Sequence, residues 1–155
     1  MLATDSNAAL APSRVSVAWA VRRLGQMSSA IDGTPEASEP TGEVVGAAVA
    51  VHGALGPGFT EITYENALVV ELRARRVPHA TQVWIPVSYR GVIVGRHRID
   101  VLVADAIVVE MKAVKEILNI HFAVVRSYMR AAGCRHGLIL NFAKPVLEAK
   151  HLHAW

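Results

Sequence analysis

Apolar positions recur along this chain with two periods, and the change from one to the other divides it into helices and strands. After Thr41, a candidate helix cap, Val44, Val45, Ala48, Val49 and His52 follow at helical spacing, with Glu43 in the favourable first turn. Gly53 to Gly58, which includes Pro57, ends that helix. A second helix is predicted from Thr60 or Glu61 to about Arg75, where Leu68 and Leu72 continue a face begun by Glu61 and Tyr64. Beyond Pro78 the period falls to two. Gln82 to Tyr89, Val92 to Val103 and Ala106 to Lys112 read as strands, with natural turns at Arg90-Gly91 and Ala104-Asp105. Asn119 is a candidate cap for a third helix that stops before Gly133, and Gly137 to Phe142 has the wholly apolar character of a buried strand. Ala143 to Trp155 is expected to add a helical turn or to cover a sheet edge. The order α-α-β-β-β-α-β predicts an α/β domain, a mixed central sheet flanked by helices.

The second and third predicted strands place chemistry. Ile99, Val101 and Val103 alternate with Arg98, Asp100 and Leu102, and Ile107, Val109 and Met111 alternate with Val108, Glu110 and Lys112. If both strands bury their regular apolar positions on one face, directly opposed residues have an even position sum, such as Val101 opposite Val109. That parity forces Asp100, Glu110 and Lys112 together onto the other face. Two carboxylates and an ammonium there could form a solvated ion-pair cluster, or they could hold a hard cation beside a phosphate.

Composition narrows the setting. The chain has 155 residues, 52% of them hydrophobic, enough for one domain with a real core. Its mean hydropathy is +0.32, yet the longest uncharged apolar run, Val44 to Val51, falls far short of the roughly 18 residues needed to span a membrane. The single cysteine, Cys134, excludes an internal disulfide framework and fits a reducing cytoplasm. A net charge of +3 and a pI near 9.4 are compatible with a polyanionic partner. Residues 1–40 are rich in Ala, Ser, Thr, Pro and Gly and read as a poorly ordered extension preceding a domain over 41–155. Within it Arg14 to Gln26 could form a short helix, and Met27 is an alternative start to Met1. The seven histidines and Cys134 show no paired zinc-ligand spacing.

Gly58-x-x-Glu61-x-x-Tyr64 is one of several separated pieces that together resemble the GxxExxY family, regarded as a branch of the PD-(D/E)xK nuclease-like superfamily. The others are Gln82 with Ile85-Pro86-Val87 and Tyr89, Asp100, Glu110-x-Lys112, His121, Tyr128, and Gly137-Leu-Ile-Leu-Asn141-Phe142. The resemblance runs from Thr41 to about Phe142. It implies a restriction-endonuclease-like core and a Mg²⁺-dependent nuclease, with Mn²⁺ as a substitute, that hydrolyses phosphodiester bonds of nucleic acid, DNA ahead of RNA. It implies Asp100 and Glu110 as metal ligands and Asp100, Glu110, Lys112 and Glu61 as catalytic residues, with Tyr64, Gln82, His121 and Tyr128 in support. Tyr64 reads as a packing and orienting residue, and His121 as either a phosphate contact or a helix-cap residue. One position departs from the pattern: Val124 stands four residues before Tyr128, where the family usually carries Gln, and it can neither donate nor accept a hydrogen bond. The departure motivates an alternative, a catalytically weak or inactive nucleic-acid-binding or protein-interaction module on the same fold.

Overall fold

The structure, a computed structural model, describes residues 39–154, so the expectations for residues 1–38 lie outside it. Helices α1 (Glu39–Leu55) and α2 (Glu61–Ala74) precede strands β1 (His79–Tyr89), β2 (Val92–Val103) and β3 (Ile107–Lys112). Helix α3 (Asn119–Ala132) follows, then β4 (His136–Asn141) and β5 (Glu148–His153). The five strands form one mixed sheet in sequential order, antiparallel at every junction except β3 with β4. This is the predicted α/β architecture with one strand more, because the segment after Ala143 pairs along β4 and covers its edge.

Helix starts are where the sequence reading needs correction. The first described helix already includes Glu39, so Thr41 lies inside it, buried, with Oγ1 lacking a hydrogen-bond partner. Pro40 permits the earlier start, because in a first turn its missing N–H would have no intrahelical acceptor in any case. At α3 the cap is Leu118 rather than Asn119: the Leu118 N–H donates to Nδ1 of His121 at 3.0 Å, so a side chain from the first turn reaches back to the cap. The C-terminal end is as predicted, with Gly133 in the left-handed region at φ 64°.

Each turn explains a register. Arg90 and Gly91 both take positive φ, 49° and 79°, as a two-residue hairpin turn requires, and Tyr89 pairs with Val92. The β2–β3 turn also uses left-handed residues, Ala104 and Asp105 at 50° and 53°, but contains a third, Ala106, whose N–H donates to Val103 O at 3.0 Å. Three residues between Val103 and Ile107 give the even-sum register: Val101 opposite Val109, Leu102 opposite Val108, Val103 opposite Ile107.

That register divides the sheet's faces. Val101, Val103, Ile107, Val109, Met111, Leu138 and Leu140 join Val44, Leu68 and Leu72 of α1 and α2 in the main core. The other face, through Leu102, Val108 and Ile139, meets α3. The helix packs tightly over Gly137, opposite Val108, where an added Cβ would stand 2.8 Å from Val125 Cγ1 and 2.7 Å from Met129 Sδ. Both distances are shorter than non-bonded carbon contacts allow. Gly137→Val is therefore expected to push α3 off the sheet and to destabilise the domain by about 1–3 kcal/mol, measured by denaturant unfolding.

Candidate active site

Asp100, Glu110 and Lys112 meet on the α3 face, where the β2–β3 ladder opens. Regular pairing stops at Val101 and Val109. One step further, where the register would set Asp100 opposite Glu110, the Asp100 side chain takes over: its Oδ2 accepts the Met111 N–H at 3.0 Å. A carboxylate thus replaces a ladder bond, and the strands can part while the Met111 donor stays satisfied. Glu110 is buried, and its Oε1 accepts a hydrogen bond from Lys112 Nζ at 2.6 Å. Its other oxygen, Oε2, is buried without any hydrogen-bond partner.

The approach from α2 is set by a tyrosine. Tyr64 is fully buried and stacks on Phe142 with ring centroids 4.4 Å apart. Its hydroxyl donates to Gly56 O at 2.6 Å and accepts the Phe59 N–H at 3.1 Å, so one atom pins both ends of the glycine-rich loop that leads into α2. Gly58, at φ 113°, supplies a backbone angle that other residues adopt only with strain. Glu61 then emerges in the first turn and accepts the Ala113 N–H at 3.1 Å, directly after Lys112. Tyr64→Phe keeps the stacking and removes both hydroxyl bonds. It is expected to cost about 1–2 kcal/mol in unfolding experiments and to slacken the placement of Glu61.

Asn141 secures the segment that leaves β3, next to the Ala113 N–H that Glu61 accepts. It is completely buried, donates to Val114 O at 2.8 Å and accepts the Val114 N–H at 3.1 Å, a two-way clasp on the segment leaving β3. Phe142 N–H donates to Lys112 O at 2.9 Å, which fixes the backbone of the lysine itself.

A further acid, Glu65, belongs to the cluster and was missed by the sequence reading. It is buried one turn after Glu61, and both of its carboxylate oxygens accept from Gln82 Nε2 at 2.8 Å. Gln82 is thereby placed on Glu65 rather than on the strand acids, and it holds a left-handed backbone at φ 52° to do so. Like charges four apart on a helix repel. Two glutamates at that spacing on either side of Tyr64 were a usable signal for a cation nearby.

Electrostatics agree with that reading. Burial is the main cause lifting the carboxyls of Asp100, Glu110 and Glu65 above their ordinary range. Asp100 adds to the rise at both Glu110 and Glu65, and Glu61 adds to it at Asp100 and Glu110. Burial works against the Lys112 ammonium, but the Glu110 hydrogen bond and the surrounding carboxylates outweigh it and raise its pKa. Tyr128, on α3, is raised by burial and then by Glu110 and Asp100, which puts its ring within electrostatic reach of the acids. Val124 is half-buried one helical turn before it. His121 uses its ring at the helix start, as described above.

The residues present fit a hard divalent cation. Two strand carboxylates, one with an unpartnered buried oxygen, whose pKa values are raised first by burial and then by neighbouring acids, offer the oxygen donors and negative charge such an ion needs. No curated protein matches the chain. A solved structure described as "Crystal structure of SSO0001" is similar over 91% of this chain and 78% of its own, at 14% identity and a TM-score of 0.49. Residues 38–152 match the family described as the PD-(D/E)XK nuclease superfamily, a match that includes every acid and the lysine of this cluster, and the chain belongs to that superfamily.

Proposed function

We propose that the protein is a Mg²⁺-dependent nuclease of the GxxExxY branch, able to use Mn²⁺, that hydrolyses phosphodiester bonds in nucleic acid. The observation that carries this reading is the buried, unpartnered Oε2 of Glu110 beside Asp100 and Lys112. Asp100 and Glu110 would hold the cation, which when bound supplies Lewis-acid stabilisation of the phosphate and lowers the pKa of water. Lys112, fixed by Glu110, presents an ammonium that orients the attacking water or neutralises charge developing on the phosphate oxygens. Glu61 and Glu65 add negative charge from α2 that favours the cation, and Tyr128 on α3 lies within electrostatic reach of the acids.

Nucleic acid as the partner draws support from the β1–β2 hairpin. Beyond the stretch where β2 pairs with β3, residues 84–98 run on as a two-stranded arm. Arg96 and Arg98 lie on the same face of β2 as Asp100 by strand alternation and are exposed, as is Arg90 at the turn. Trp84 and Tyr89 are also exposed, each beneath an arginine, Arg98 at 6.0 Å and Arg90 at 5.5 Å. A two-stranded ribbon fits the major groove of B-form DNA, whereas the A-form major groove is too narrow for it, which favours DNA over RNA. The lone, buried Cys134 agrees with a cytoplasmic setting, and no described helix is long and apolar enough to cross a membrane.

The reading is tested by calorimetric titration with Mg²⁺ and Mn²⁺, followed by a metal-dependent cleavage screen over single-stranded, duplex and branched substrates. Metal binding with no turnover on any substrate would favour the alternative, a nucleic-acid-binding module, for which Val124 is the specific observation. Val124→Gln is accordingly expected to raise the cleavage rate, since it restores an amide one turn before Tyr128 at a half-buried position. An unchanged rate would mean that Tyr128 and the strand residues suffice.

A further inference from the structure

A second cluster of ligating side chains lies away from the acids, and the spacing of residues in the sequence does not reveal it. Strand pairing brings His136 of β4 directly opposite His153 of β5, and His151 lies two residues before His153 on the same face. His136 Nδ1 stands 3.2 Å from His151 Nε2, and one ring nitrogen from each of the three histidines lies within 4.8 Å of the others. The rings gather closely, with centroids 4.0 Å apart for His151 and His153, 5.2 Å for His136 and His153, and 5.3 Å for His136 and His151. His151 and His153 are exposed and His136 is half-buried, so an ion has access from solvent.

We propose that His136, His151 and His153 form a binding site for a borderline divalent transition metal, with Zn²⁺ as its representative. Three imidazoles suit Zn²⁺, Ni²⁺ or Cu²⁺ and poorly suit Mg²⁺, which demands oxygen ligands. A tetrahedral Zn²⁺ with Zn–N bonds of about 2.0–2.1 Å separates its ligand nitrogens by about 3.3 Å, close to the spacing already present between His136 and His151. Small rotations of the exposed His153 ring bring in the third donor, and a water completes the shell. The site is separate from the acids. His136 pairs with Ile107 at the start of β3 while Asn141 pairs with Lys112 at its end, which sets the two sites about 16 Å apart along β4. They also face opposite sides of the sheet, because Leu152, between the two histidines of β5, pairs with Gly137 beneath α3. A metal here would tie the edge strand β5 to β4. Glu148 at the start of β5 accepts from Asn141 Nδ2 at 3.3 Å, so the strand being tied is one that contacts the clasp behind Lys112.

The test uses the full chain carrying Asp100→Asn and Glu110→Gln, stripped with chelator and titrated calorimetrically with Zn²⁺ in millimolar Mg²⁺. One equivalent of Zn²⁺ is expected to bind, and His136→Ala, His151→Ala or His153→Ala on that background is expected to weaken it by more than about tenfold. Co²⁺ in place of Zn²⁺ should give the intense visible absorption of a tetrahedral ion, lost in the same variants. No Zn²⁺ uptake, or uptake unaltered by all three substitutions, would overturn the proposal and leave His136 and His151 as a hydrogen-bonded pair only. Should a substitution impair folding, ¹⁵N histidine spectra of the otherwise intact chain decide: Zn²⁺-dependent shifts in three rings support the site, and none refutes it.

Discussion

Asp100→Asn and Glu110→Gln are each expected to abolish measurable Mg²⁺ binding and, with it, all cleavage. Mg²⁺ gives up its waters reluctantly, and a single remaining strand carboxylate offers too little charge and geometry to hold it. Glu110 contributes the buried oxygen that lacks a partner, so its neutral isostere removes the strongest feature of the site with little change in shape. Stability should move the opposite way. Burial holds the Glu110 and Asp100 carboxyls above their ordinary values of 4.5 and 3.8. A raised folded-state pKa means that these groups favour folding below the ordinary value and that the benefit is lost as pH rises through the raised one. At neutral pH the ionised acids therefore oppose folding in the metal-free protein. Metal-free Glu110→Gln is expected to melt higher than the parent chain at neutral pH, and the parent is expected to gain on it as pH falls through the raised carboxyl pKa toward the ordinary carboxylate range. Calorimetric titration and melting curves with and without Mg²⁺ check both halves. A Glu110→Gln protein that still binds Mg²⁺ with unchanged affinity would remove the metal reading.

Most of the fold was legible because it depends on local periodicity and parity. Alternation of Ile99, Val101 and Val103 against Ile107, Val109 and Met111 admits only registers with an even position sum if one face is buried, and that parity already assigns Asp100, Glu110 and Lys112 to a common side. Features that depend on how separate elements meet were not legible. Glu65 joins the acids only because α2 is set down beside β1, where Gln82 adopts a left-handed backbone to reach it. The His136, His151 and His153 cluster needs β5, a strand whose weakly patterned sequence gave no alternation to read. Thr41 and Asn119 looked like caps from their side chains alone, but the helix starts follow Pro40 and the ring of His121 instead.

Lys112→Met should separate binding from chemistry. The ammonium is not a metal ligand, and its charge repels a cation at Asp100 and Glu110, so Mg²⁺ affinity is expected to stay the same or to rise. Turnover is expected to fall by about two to three orders of magnitude, the scale on which single charge-stabilising donors act in transition states. The effect on stability identifies what Lys112 does in the absence of metal. Its Nζ holds Glu110 at 2.6 Å, with the two side chains only 16% and 9% exposed, and its removal leaves a buried carboxylate with neither oxygen partnered. The metal-free variant should accordingly lose about 1–3 kcal/mol at neutral pH, less than a fully enclosed pair would cost because the lysine keeps some contact with water. Saturating Mg²⁺ should restore most of that loss, since a bound cation supplies the charge that the ammonium had provided. A purely structural ion pair predicts another combination: the same destabilisation, no rescue by Mg²⁺ and no change in cleavage. Melting curves across a Mg²⁺ series, set beside single-turnover cleavage rates, distinguish the two, because only a lysine that shares its carboxylates with a metal couples a stability defect to metal concentration while slowing the chemical step.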